Sequence, residues 1–186
     1  MKAIVFASVV LLSVGSLCGP VACADTGGPA TLNVANTTLV KNGVGQRSKM
    51  FLALYEGALY LQNKSNNAAA IIQADEPMAF RIKITSKFVS QEKLVAGLQE
   101  GFQAATGGKT SGIAAEIGQF RACFAGPVKL NDVFVLVYDP STGVTVHKNG
   151  AAQGTIQGVA FKKALFGIWL GNNPVDAGLK TKLVGR

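Results

Sequence analysis

Apolar and polar residues alternate along several stretches of this chain, as they do in half-buried β-strands. The clearest case is 78–88, where one set of alternate positions is apolar and the other carries Arg81, Lys83 and Thr85. Such a strand has one face in the core and one face in water. The same kind of pattern predicts further strands at 31–41, 132–138, 144–147 and, more briefly, 155–156.

The most apolar strands are predicted at 46–55 and 58–62, either as two strands or as one bent strand. Asn42-Gly43 predicts a turn before them, and Glu56-Gly57 predicts a break between them. Arg47 then lies at the edge of an apolar strand pair. It is either a surface cation after a hairpin turn or a group that holds an anion whose tail lies in the core.

Apolar residues spaced three and four apart predict helices in the rest of the chain. Ser90 is a good N-cap for one of them. In the helix that Gly158 opens, the apolar face places Lys162 and Lys163 toward solvent. Antiparallel hairpins beside clustered helices indicate an α+β fold rather than a parallel α/β sheet. The predicted helices lie at 65–74, 90–106, 111–124, 158–170 and 174–182.

The N-terminus has the pattern of a secretory signal peptide. Lys2 precedes an apolar segment that is too short to span a membrane, and Ala22-Cys23-Ala24 is a small-x-small cleavage site. We expect residues 1–24 to be the signal peptide, 25–30 a short leader and 31–186 a single domain. The protein is then periplasmic or secreted, with no transmembrane helix in the mature chain. Lipid attachment at Cys23 is the alternative.

Composition and charge exclude several classes of function. The net charge is +8, but the lysines and arginines are scattered, and no nucleic-acid-binding motif is present. A solvated basic surface is expected, with attraction to anionic small molecules or an anionic membrane as the open alternative. After cleavage Cys123 is the single cysteine, at a buried helical spacing, so no internal disulfide can form. Neither Cys123 nor His147 has metal-ligand spacing, and we expect no metal and no cofactor.

Three motifs in order resemble those of the chalcone isomerase-like superfamily, most closely its exported bacterial branch. They are the glycine-arginine motif GVGQRSKMFLALYEGALYL at 43–61, the helix start SQEKL at 90–94, and FKKALFGIWLGNNPVDAGLKTKLVG at 161–185. The resemblance covers about 31–186. It implies an open-faced β-sandwich, in which a large antiparallel sheet carries a layer of helices on one face and a ligand cleft lies between them.

The resemblance also implies candidate site residues. In plant chalcone isomerases the cleft cyclises a chalcone without a cofactor, and five polar positions line it. Arg47 matches the arginine, whereas Tyr55, Ser90, Gly97 and Ile168 fall where the family has a threonine, a tyrosine, an asparagine and a hydroxyl residue. The replacements at Ser90, Gly97 and Ile168 remove donors that would polarise the substrate carbonyl and orient its oxyanion, whereas Tyr55 offers a phenolic donor beside Arg47. In the fatty-acid-binding branch the arginine is thought to hold the ligand carboxylate.

Three hypotheses about function follow. The first is a non-catalytic binder of a small apolar acid such as a fatty acid, with Arg47 and Tyr55 at the polar end of the cleft. The second is a cofactor-free intramolecular lyase or isomerase acting on a flavonoid-like or enone substrate. The third is an accessory envelope protein with a filled core and no ligand. Binding is favoured over catalysis because Arg47 is the one polar group kept of the five that line the cleft in plant chalcone isomerases.

Overall fold

One antiparallel sheet of seven strands, which pair in chain order, forms the body of the protein. A computed structural model describes residues 27–185, so the predicted signal peptide and Cys23 lie outside the described residues. The α+β, open-faced fold predicted from the sequence is confirmed. The strands are β1 (Thr31–Val34), β2 (Thr37–Lys49), β3 (Leu52–Leu61), β4 (Met78–Ile84), β5 (Val133–Asp139), β6 (Gly143–Lys148) and β7 (Ala151–Ile156).

The helices cover one face of this sheet and enclose the main core with it. Across residues 27–185 no helix combines the length and the apolar character that crossing a bilayer requires. Ser90 caps the second helix as predicted, its Oγ accepting from the backbone N–H of Lys93 at 3.3 Å. The helices are α1 (Ala68–Gln73), α2 (Gln91–Thr106), α3 (Ala114–Ala122), α4 (Val159–Leu170) and α5 (Ala177–Leu183), with a 3₁₀ turn at Ser111–Ile113.

The opposite face of the sheet has a smaller apolar cluster, which contains Val34, Leu39, Ala58, Tyr60 and Ala79. Residues 27–30, from the predicted leader, lie against this face. The Tyr60 hydroxyl donates to the carbonyl oxygens there, at 3.1 Å for Gly27 and 2.9 Å for Pro29. The start of the described chain is therefore packed onto the sheet.

Several boundaries differ from those predicted. The helix expected from residue 174 begins only at Ala177, because the Asp176 carboxylate caps it by accepting from the N–H of Leu179 at 2.9 Å. The strand expected at 155–156 is longer and starts at Ala151. Cys123 is buried, as predicted. Its thiol lies beside β7, since a Cβ added at Gly154 would be 2.8 Å from its sulfur.

The turn predicted at Asn42-Gly43 is wrong. The chain turns earlier, at Ala35-Asn36, and β2 runs without interruption through Asn42, where the pairing with β3 is shifted by a bulge. The Asn42 side chain donates to the carbonyl of Leu183 at 2.8 Å and exchanges two hydrogen bonds with the backbone of Ser65. An Asn-Gly pair suits a bulge as well as a turn, because both need a locally irregular backbone.

The two glycines of the motif give α5 room to lie directly on β2. A Cβ at Gly43 would overlap the carbonyl oxygen of Lys182 and lie 2.5 Å from that of Leu183. A Cβ at Gly45 would be 3.0 Å from side-chain atoms of Lys182 and Leu179. Because side chains alternate along a strand, Arg47 extends from the same face just beyond the helix. The motif is thus a helix-docking surface followed by an arginine.

The break predicted at Glu56-Gly57 is also wrong, because β3 is continuous from Leu52 to Leu61. Glu56 lies in the middle of the strand and forms an ion pair with Arg81 of β4, with 3.5 Å between the carboxylate and the guanidinium. Gly57 faces the helices, and a Cβ there would lie 2.9 Å from the ring of Phe80. The turn that separates β2 from β3 is instead at Met50-Phe51.

Lys162 was expected to face solvent, but it is fully buried. Its ammonium donates to the carbonyl oxygens of Ile71, Ile72 and Ala74 at 3.3, 2.9 and 2.6 Å. These carbonyls belong to the last turn of α1 and to its C-cap residue Ala74, where acceptors have no partner within the helix. Lys162 therefore joins α4 to the C-terminal end of α1, a role that helical periodicity alone does not reveal.

We expect the pKa of the Lys162 amine to lie far below that of an exposed lysine. Burial, which Asp75 only partly offsets, lowers its pKa from 10.5 to about 8. Because this pKa is lower in the folded state, the cost of burying the charged amine is fully present below pH 8, where Lys162 adds no pH dependence. The free energy of unfolding should then rise as pH increases from about 8 to 10.5.

The measurement is the pH dependence of the lysine Cε chemical shift by NMR, with Lys162→Met used to assign the resonance. Unfolding midpoints of both proteins over the same pH range test the stability effect. A Lys162 resonance that titrates together with the exposed lysines would contradict this expectation.

Candidate functional site

A cleft of about 370 Å³ opens between the β2–β3 hairpin, the loop after β4 and helix α2. Its size falls within the range of small-molecule sites. Most of its walls are apolar, and Arg47 and Tyr55 lie beside each other among its polar groups. The lining residues are Arg47, Lys49, Leu52, Leu54, Tyr55, Phe88, Val89, Lys93, Leu94, Ala96, Gly97 and Glu100.

Arg47 reaches into this cleft below α2. Its guanidinium carbon lies 5.6 Å from the centre of the Tyr55 ring. A Cβ added at Gly97 would be 3.5 Å from its Nη1 atom, so the glycine leaves space next to the cation. The Nε atom is buried and has no hydrogen-bond partner among residues 27–185. A buried N–H without an acceptor is costly. The guanidinium to which it belongs lines the cleft, where it can pair with an anion.

Tyr55 lies opposite Arg47 in the β2–β3 register and is almost fully buried. Its hydroxyl oxygen accepts a hydrogen bond of 2.8 Å from the indole N–H of Trp169. Burial raises the pKa of the Tyr55 hydroxyl, although Arg47 opposes the effect, so the group is protonated at neutral pH. Its own O–H proton can be donated to an anion held beside Arg47.

Trp169 was not among the predicted site residues. It lies in α4 and stacks on Phe80 of the sheet, with 4.1 Å between ring centroids. Its position on the apolar face of α4 was predicted, but its indole N–H orients the Tyr55 hydroxyl across the core. A sequence pattern shows which face is buried and does not show which polar atom meets the buried nitrogen. The signal that could have identified Trp169 is that a buried indole N–H requires an acceptor.

The structure brings together three of the five predicted positions, namely Arg47, Tyr55 and Gly97, in one cleft. Ser90 and Ile168 are not among its lining residues. The Ser90 hydroxyl is occupied as the N-cap of α2. Ile168 is fully buried between α4 and α2, where a Cβ added at Gly101 would lie 2.6 Å from its Cγ2.

The rim of the cleft is more cationic than anionic. Lys49 and Lys93 join Arg47 there, and Glu100 is the one acid among the lining residues. The Lys93 amine is held by the carbonyl of Phe88 at 3.1 Å. Among the described residues no group of His, Cys, Asp and Glu side chains is arranged to hold a metal ion. The arrangement suits an anion with an apolar tail.

Comparison with known proteins agrees with this architecture. A family model described as chalcone isomerase-like matches residues 21–185. The crystal structure of a fatty-acid binding protein from Arabidopsis thaliana superposes with a TM-score of 0.66 at 15% sequence identity, covering 84% of this chain and 90% of that one. At this identity the likeness shows the fold alone. No curated protein sequence matches the chain.

Proposed function

Because this chain belongs to the chalcone isomerase-like family, we propose that it is a non-catalytic binder of a small apolar acid of the fatty-acid type. The observation that carries the proposal is Arg47, which lines a mostly apolar cleft and forms no ion pair within residues 27–185. Its buried Nε has no hydrogen-bond partner among these residues either. A carboxylate is the group that pairs best with a guanidinium, and the apolar walls suit an alkyl chain. The fatty-acid binding protein of the same fold supports this ligand class.

The cleft gives less support to catalysis. Closing a chalcone requires donors on both the carbonyl and the reacting oxyanion. Here the Ser90 hydroxyl is engaged outside the cleft, Gly97 has no side chain, and Ile168 is buried behind it. Arg47 and Tyr55 lie side by side and serve one anionic group rather than two separated centres. A wild-type protein that cyclises chalcones faster than buffer, with Arg47→Ala abolishing the effect, would overturn this part of the proposal.

We also propose that the protein acts after export, as a periplasmic or secreted protein. The support is the arrangement of Lys2, the apolar segment and Ala22-Cys23-Ala24 at the N-terminus. N-terminal sequencing of protein recovered from cells that express the full chain is expected to begin at Asp25. An intact Met1, or a lipid-modified Cys23, would contradict that cleavage site.

The binding proposal is tested by titrating the protein with a long-chain fatty acid and with the fatty alcohol of equal length. The acid should bind about tenfold more tightly or better, because a hydrogen bond to a charged group contributes about 1.5–3 kcal/mol. Mass spectrometry of lipids extracted from purified protein should recover an acidic lipid. Equal affinities would contradict the carboxylate site, and empty extracts with no binding of either compound would contradict the function.

A further inference from the structure

Exposed large apolar side chains are concentrated at one end of the sheet. Six such residues are found among residues 27–185, and Met50, Phe51, Leu52 and Phe88 border the mouth of the cleft or lie in the hairpin turn beside it. Leu130, in the loop before β5, is at the same end. Met50 and Phe51 are the most exposed of the six, at 87% and 108% of their reference areas. We call this end of the molecule, from the 49–52 hairpin to the 85–90 and 128–132 loops, the apolar tip.

The strand registers place these loops together. Lys49 at the end of β2 pairs with Leu52 at the start of β3. Tyr55 pairs with Ile84, the last residue of β4, and Ile84 exchanges backbone hydrogen bonds with residues 131 and 132 just before β5. The sixth exposed apolar residue, Val159, follows β7 and therefore lies at the opposite end of the sheet.

The stability of the fold does not explain why Met50 and Phe51 occupy this hairpin turn. Met50 and Phe51 form a two-residue turn in which both have positive φ, 51° and 66°. Such a turn favours Asn and Gly, and bulky residues adopt it at a cost. An unfavourable backbone that displays two large apolar side chains to solvent is the kind of local strain that is retained at functional sites.

Cations surround the apolar side chains. The Lys87 amine lies 5.6 Å from the centre of the Phe88 ring, and Lys49 and Lys129 directly precede Met50 and Leu130 in sequence. No ion pair is formed by these three lysines within residues 27–185. The acids of this end are largely engaged: Asp132 pairs with Lys148 at 3.2 Å, and Asp176 accepts from the N–H of Ser48. Two exposed acids lie on this side, Glu92 in the first turn of α2 and Glu100 in the lining of the cleft.

We propose that the apolar tip docks on an anionic lipid bilayer, with Met50, Phe51 and Phe88 entering the interface and the lysines contacting the headgroups. Apolar side chains ringed by cations are what binding to an anionic membrane surface requires. The net charge, +8 for the full chain and +7 once Lys2 is removed with the signal peptide, also favours such a surface. Docking in this orientation turns the mouth of the cleft toward the acyl chains.

The test is sedimentation with vesicles of phosphatidylcholine, and of phosphatidylcholine with phosphatidylglycerol, without added fatty acid. Its outcome is therefore separate from that of the binding proposal. All variants are expressed as the full chain and share one N-terminus, so differences among them arise at the substituted positions. Wild type should bind the anionic vesicles and bind the neutral ones at least tenfold more weakly.

The principal variant is Met50→Asn with Phe51→Gly. It supplies the residues that this turn favours, so the protein should fold at least as well while losing roughly tenfold or more of its vesicle affinity. Lys87→Gln with Lys129→Gln should lower affinity about fivefold for each lysine. The matched controls are Val159→Ser for apolar exposure and Lys64→Gln with Lys109→Gln for charge, all of which should bind as wild type does.

Three results would overturn the proposal. One is the absence of wild-type binding to anionic vesicles. Another is wild-type affinity in the Met50→Asn, Phe51→Gly variant. The third is a protein that dimerises through the tip, so that this variant dissociates the dimer without any change in vesicle binding.

Discussion

Replacing Arg47 with methionine should weaken binding of a fatty acid by at least about 30-fold, because truncating one partner of a buried charged pair costs about 2 kcal/mol or more. Arg47→Lys should lose about tenfold, since an ammonium keeps the charge and lacks the planar fork that binds both carboxylate oxygens. The fatty alcohol of equal length should bind all three proteins with similar affinity. Isothermal titration calorimetry measures both ligands.

The same variants separate a binding role for Arg47 from a structural one. Its Nε is buried without a partner in the described structure, so the unliganded Arg47→Met protein should be at least as stable as wild type toward urea. Arg121→Lys, at an exposed position on α3, is the matched control for arginine replacement. Unchanged fatty-acid affinity in Arg47→Lys, or clear destabilisation of unliganded Arg47→Met, would contradict the assignment.

Gly43→Ala should destabilise the protein by about 3 kcal/mol, the upper part of the range for overpacked sites. The new methyl group would meet the carbonyl oxygens of Lys182 and Leu183, and backbone atoms cannot rotate away as a side chain can. Helix α5 would have to move off β2. Urea unfolding monitored by the fluorescence of Trp169 measures the loss.

The matched control is Gly118→Ala in α3, where a Cβ meets nothing within 4 Å. Because alanine is the better helix former, this change should stabilise the protein by up to about 1 kcal/mol. Should Gly43→Ala unfold at the same urea concentration as wild type, α5 would not be held against the strand as described.

The regular parts of the fold could be predicted because one local pattern determines each of them. The alternation at 78–88 gave β4, although it overran the strand by four residues, and the spacing after Ser90 gave α2 with its cap. The structural role of Gly43 and Gly45 could not be predicted from a local pattern. The two glycines make room for α5, which lies about 140 positions later in the chain, and glycine is also the usual residue of turns.

The candidate site was predictable only in part, for the same reason. The family resemblance located Arg47, and strand pairing places Tyr55 opposite it. The orientation of the Tyr55 hydroxyl depends on Trp169, which a helical pattern identifies only as apolar. Lys162 was misassigned because a basic residue within an amphipathic helix is normally solvated, whereas here the end of α1 supplies three carbonyl acceptors.

The docking of α5 on β2 also has a consequence for the order of folding. Strands joined by hairpins form contacts of short sequence separation, and the pairing of β4 with β5 spans α2 and α3. The longest return is that of α5, which must come back across most of the chain to reach Gly43 and Gly45. Contacts that close a long loop carry a large entropic cost, so we expect this docking after the transition state for folding. Gly43→Ala should then speed unfolding several-fold and leave the refolding rate nearly unchanged, which stopped-flow measurements in urea would show. A slower refolding rate would place α5 in the folding nucleus instead.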